Sequence, residues 1–151
     1  MSAIGQKVRR FLSTRGKGDD DLFFLDLGGR FLQVCCNGWD EVPKFPGKPT
    51  ELKLPSFAAG QEIVRLRKYD YPENGTVISF ENGAALQLYY PQLMPGAEVY
   101  TDFDFFDHQQ VVSHLEPYLA ELEDPIVREE PAPEGLEPAS EGGPLPVTRC
   151  S

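Results

Sequence analysis

Apolar and polar residues alternate most cleanly between positions 97 and 106, where Val99, Thr101, Phe103 and Phe105 share one parity and Glu98, Tyr100, Asp102, Asp104 and Phe106 share the other. A period of two is that of a strand with one face buried and one face wet, so this stretch is predicted to be a strand with an apolar face and an acidic, aromatic face. Further β runs lie at 62–69, 76–81 and 84–90, the last two with similar alternation, and they are separated by Tyr71-Pro72-Glu73-Asn74-Gly75 and by Asn82-Gly83. Both separators are turn chemistry, and a three-stranded antiparallel meander is predicted. Upstream, the runs 22–27 and 30–36 flank Gly28-Gly29, a pair that tolerates the positive φ angles of a tight hairpin.

Two helices are expected. Ile4, Val8, Phe11 and Leu12 fall at helical spacing, with Ser2 as a cap and Gly16 as a stop. Asp107, three residues before Gln110, is read as a capping box opening a second helix with Val111, Leu115, Leu119 and Leu122 on one side. Pro117 lies inside it, so the helix should kink or restart near Glu116. Between 37 and 60, Pro43, Pro46, Pro49 and Pro55 leave room only for an edge strand at 50–54, and Trp39 is expected to cover one edge of the core. Residues 124–151 hold six prolines, five glutamates and three glycines, a composition that predicts a disordered Pro/Glu-rich tail. The fold class that follows is α+β, with an N-terminal helix, a β-hairpin and an antiparallel meander, about five to six strands in all, and a C-terminal kinked helix, within one domain over 1–123.

Charge sharpens this picture. Residues 1–68 carry twelve Lys/Arg and eight Asp/Glu, net +4, whereas residues 69–151 carry two Lys/Arg and sixteen Asp/Glu, net −14. From 69 to 127 there are eleven acids and no Lys or Arg, with tyrosines interleaved. Such a surface repels nucleic acid and anionic membranes, and it either serves solubility or steers toward a basic protein cleft. The candidate partner-binding residues are Asp70, Glu73, Tyr89, Glu98, Tyr100, Asp102, Asp104 and Asp107.

Catalytic signals are few. His108 and His114 are six residues apart, on different faces of a helix, and no nucleophile elbow, zinc-protease, phosphate-loop or dinucleotide motif is present, so no enzyme activity and no cofactor are expected. Asp102 and Asp104 would share a strand face near Asp107, which leaves a metal-dependent enzyme as the last-ranked alternative. Three cysteines, two of them adjacent, make a poor disulfide framework, and with no signal-like apolar run and no stretch of ~18 apolar residues they indicate a cytoplasmic protein.

A compact acidic α+β chain that lacks catalytic residues and displays carboxylates and tyrosines on a sheet face resembles, in type, the bacterial immunity proteins that neutralise antibacterial toxins. That resemblance implies steric inhibition, with the acidic, aromatic face filling a toxin's basic active-site cleft. The N-terminal helix followed by 22–27, Gly28-Gly29 and 30–36 is similar to the start of small acidic secretion-type chaperones, which gives the alternative of a protein that holds a client segment.

Overall fold

The computed structural model describes residues 2–16, 21–70, 74–90, 101–122 and 128–131. They form two antiparallel sheets packed face to face, with one short helix on the outer side of the second. The first sheet comprises β1 (Arg10–Arg15), β2 (Asp21–Asp26), β3 (Phe31–Cys35), β4 (Gly38–Val42) and β5 (Thr50–Leu52), in the order β4-β3-β2-β1-β5. The second comprises β6 (Ile63–Tyr69), β7 (Gly75–Phe80), β8 (Ala85–Tyr89), β9 (Asp102–Phe106) and β10 (Arg128–Pro131), in the order β10-β6-β7-β8-β9. The helix α1 covers 108–120. A mostly β sandwich therefore replaces the expected frame of two helices around a five- or six-stranded sheet.

The N-terminal helix is absent. Phe11 and Leu12 lie on β1 and are both buried, but on opposite faces: Phe11 pairs with Leu25 over the sandwich core, and Leu12 pairs with Phe24 on the outer face. A strand buried on both sides loses its alternation, and two adjacent apolar residues then mimic a helical stripe. Ahead of β1, residues 5–8 bond to the backbone at 60–63, including Gly5 N–H to the Ile63 carbonyl at 2.7 Å and Val8 N–H to the Gln61 carbonyl at 3.0 Å. This segment stitches the second sheet to the first.

The hairpin and the meander form where the alternation placed them. Gly28 and Gly29 hold φ of 90° and 104°, and the turn closes through Leu27 N–H to the Arg30 carbonyl at 2.8 Å. Asp26, at the end of β2, anchors it by accepting from Gly28 N–H at 2.9 Å and from Arg10 Nε at 2.8 Å. Burial alone would raise its pKa, but these donors outweigh burial and hold the carboxyl below its ordinary value of 3.8. A depressed folded-state pKa gives stability that is present above the ordinary value and lost as pH falls through the folded one. Asp26→Asn should accordingly cost about 1–2 kcal/mol in urea unfolding at pH 7. The gap from the parent protein should close in acid, below the depressed value.

Besides β1, two further strands lie where none was expected. β4 occupies the start of the Pro/Gly-rich stretch, and its Trp39, 2 % exposed, pairs with Val34 over the core. β10 lies within the stretch expected to be a disordered tail and pairs with β6. It closes the seam beside Trp39: the Arg128 guanidinium stacks 4.0 Å from the indole centroid, and Glu130 accepts from Trp39 Nε1 at 3.2 Å and from the Ser2 hydroxyl at 2.5 Å. The expected edge strand is present as β5, and the loop after β4 folds Phe45 back onto Phe24 and Phe31, covering the outer face of the first sheet.

The C-terminal helix is one 13-residue element whose middle turn, Val111–Leu115, is π-helical. Glu116 N–H bonds the Val111 carbonyl five residues back, and Pro117 enters the α-helical turn that follows. Widening the helix immediately before a proline relieves the clash that Pro117 would make with the carbonyl four residues behind it, so the sequence expectation of a kink or break gives way to a local change of winding.

Cys36 is a buried free thiol. Among the described residues, no helix is long and apolar enough to cross a membrane.

Candidate functional site

β9 sets the position of the site. Its Phe103 and Phe105 point into the sandwich, where Phe11 meets them edge-on at centroid distances of 4.9 and 5.4 Å and Phe23 meets Phe103 at 5.3 Å. Four interlocked rings fix which parity of β9 is inward, so Asp102, Asp104 and Phe106 are held on the outer face. Cross-strand pairing then sets Asp102 beside Tyr89, Asp104 beside Gln87, and Phe106 beside Ala85.

These pairs make a polar cluster next to an apolar one. The Tyr89 hydroxyl donates to Asp104 Oδ2 at 2.9 Å, and Asp102 Oδ1 accepts from the Phe103 backbone N–H at 2.8 Å. Burial first, and then the two neighbouring carboxylates, push the Tyr89 pKa up, so the phenol keeps its proton and stays a donor to Asp104. Toward the helix, Gln87, Tyr89, Phe106, His114, Leu115 and Tyr118 surround an open pocket of about 260 Å³.

Helix α1 forms the far wall, is capped at its N-terminus and is tied to the sheet through Glu116. Asp107 caps it reciprocally with Gln110, each side chain bonding the other's backbone N–H at 2.9 Å. Val111 and Leu115 face Tyr69, Val77 and Ala85 on the sheet, with Leu119 and Leu122 against the same cluster. Arg67 on β6, with a side chain 5 % exposed, reaches Glu116 through two nitrogens at 2.8 and 3.4 Å and also donates to the Ser79 hydroxyl at 3.2 Å. The Arg67 guanidinium holds the Glu116 carboxyl below its ordinary range, against the opposing effect of burial.

No protein-family model, curated protein or solved structure matches the chain. The site therefore rests on its own geometry.

Of the eight candidate residues, Tyr89, Asp102 and Asp104 are brought together. Asp70 lies beyond the end of β6 and forms an ion pair with Lys68, and the Asp107 carboxylate is taken up by the helix cap. Glu73, Glu98 and Tyr100 lie outside the described residues. Because Asp107 is committed to the cap, Asp102, Asp104 and Asp107 do not assemble as one ligand set, and no group of three or more potential metal ligands occurs among the described residues. Gln87, Phe106, His114, Leu115 and Tyr118 are not among the candidates. Phe106 is placed by sequence on the acidic, aromatic parity of β9, Leu115 on the apolar helix stripe that points to packing, and His114 is weighed only as a catalytic group.

Proposed function

We propose that the chain is a non-catalytic binding protein that seats the outer face of its second sheet in a basic cleft of a protein partner, and that the partner is a bacterial toxin domain, as for the immunity proteins it resembles in type. The observation that supports this is the juxtaposition of Tyr89, Asp102 and Asp104 on one face, beside a pocket with mostly apolar walls. Carboxylates provide long-range attraction to a basic cleft, and aromatic surface provides the packed contact that charge alone does not. Rigid strands carry both, so the face loses little conformational freedom when it docks.

The chaperone alternative leaned on an N-terminal helix, and those residues instead form β1 and its lead-in. It is not pursued.

The test begins with the product of the neighbouring reading frame. Co-expression should give a stoichiometric complex in which the toxic activity is silenced. Asp102→Lys combined with Asp104→Lys should then slow association by roughly tenfold at low ionic strength and flatten its dependence on salt. Unchanged kinetics across ionic strengths would sink the assignment of this face.

A further inference from the structure

The pocket beside the acidic pair has a defined chemistry of its own. At about 260 Å³ it is smaller than the ~300–1,000 Å³ of pockets that enclose a drug-sized ligand, and it matches a single long side chain better than a metabolite. Three of its six lining residues, Tyr89, Phe106 and Tyr118, are aromatic, and Leu115 adds aliphatic surface. Aromatic faces attract cations, and an apolar wall accepts the methylene stem of a long basic side chain.

Asp104 does not line the pocket but is exposed next to two residues that do: it pairs across the strands with Gln87, and its Oδ2 accepts from the Tyr89 hydroxyl. No Lys or Arg occurs between 69 and 127 to compete for it, and Arg67, the basic residue bound to the helix wall, is already paired with Glu116. We propose that this pocket receives one arginine side chain of the docking partner, with its guanidinium stacked on the aromatic wall and facing the Asp104 carboxylate. This rests on the docking reading above and names the anchor within it.

Arginine fits better than lysine because a planar guanidinium both stacks on rings and meets a carboxylate with a two-pronged fork. The molecule uses the same stacking elsewhere: the Arg128 guanidinium lies 4.0 Å from the Trp39 ring centroid.

The test needs no partner. The full-length, isotope-labelled protein is titrated by NMR with N-acetyl-arginine-N-methylamide and, separately, with the citrulline analogue, which has nearly the same shape without the charge. Saturable shifts are expected at Gln87, Phe106 and Tyr118, with a dissociation constant on the order of millimolar for so small a ligand. The citrulline analogue should bind at least about fivefold more weakly, and Asp104→Asn should weaken the arginine probe by a similar factor. Equal binding of the two probes, shifts confined to another surface, or no saturable shift up to about 50 mM would overturn the arginine pocket. Because the association kinetics of the Asp102→Lys, Asp104→Lys protein are measured separately, failure of the pocket is distinguishable from failure of the docking face.

Discussion

Gly75→Ala lowers stability by about 3 kcal/mol, the upper part of the range for inserting a methyl group where no space exists. The reason is local. A Cβ at Gly75 would overlap the Tyr69 ring, with Cε1 only 2.5 Å away. Tyr69 is fully buried, its hydroxyl accepts from the Gln87 amide at 2.7 Å, and its ring meets Tyr118 edge-on at 6.0 Å. The ring cannot swing aside without disturbing both contacts, so the strain reaches the floor and far wall of the pocket. Urea unfolding should show a lower midpoint with an unchanged slope. Combining the change with Tyr69→Leu should cost less than the sum of the two single changes, because the smaller side chain vacates the space that the new methyl needs.

Glu116→Ala is the second large effect, about 2–3 kcal/mol. Removing one partner of a buried ion pair costs about 3–5 kcal/mol because the other charge is stranded. Here Arg67 is 5 % exposed but Glu116 is 44 % exposed, so water partly replaces the lost carboxylate and the cost falls below that range. The guanidinium has little to fall back on: its Nε already lacks a partner among the described residues, and Ser79 satisfies only one nitrogen. Replacing both members, with Arg67→Met and Glu116→Leu, should recover most of the loss, since no charge is then left stranded. Chemical denaturation of the parent, Arg67→Met, Glu116→Leu and the double variant gives the coupling directly. Amide exchange in 111–120 should rise in Glu116→Ala and return in the double variant, because the pair ties the helix to the sheet.

β9 could be read because its outer parity stays open while its inner parity packs in the sandwich. Its alternation correctly placed Phe103 and Phe105 inward and Asp102 and Asp104 outward. β7 and β8 are buried on both faces, by the sandwich on one side and by the helix cluster on the other, and were legible from the Asn74-Gly75 and Asn82-Gly83 turn residues that bound them. β1 could not be read, since Phe11 and Leu12 are buried on opposite sides and their adjacency imitates a helix. β4 was obscured by surrounding prolines and glycines, and β10 by a composition rich in Pro and Glu. Its stability comes from partners remote in sequence: Glu129 meets Arg65 at 2.6 Å, and Glu130 meets Trp39. Long-range pairing of this kind leaves no local pattern.

The site was legible in part for the same reason. Parity along β9 gave Asp102 and Asp104, and the tyrosines among acids gave Tyr89. The pocket depends instead on the register between β8 and β9 and on how α1 crosses the sheet, neither of which local periodicity contains. The pairing of Arg67 with Glu116, residues from a basic half and an acidic half of the chain, was equally hidden. Charge asymmetry along the sequence was a true observation, yet part of it is spent inside the fold rather than displayed.

Hydrogen–deuterium exchange of the protein, free and in complex with the proposed toxin partner, tests the docking face most directly. Protection is expected on β8, β9 and the pocket-facing part of α1, including Tyr89, Asp102, Asp104 and Leu115, with the first sheet unchanged. Protection confined to β2, β3 and the Phe45 loop, with β8, β9 and α1 exchanging as in the free protein, would contradict the account.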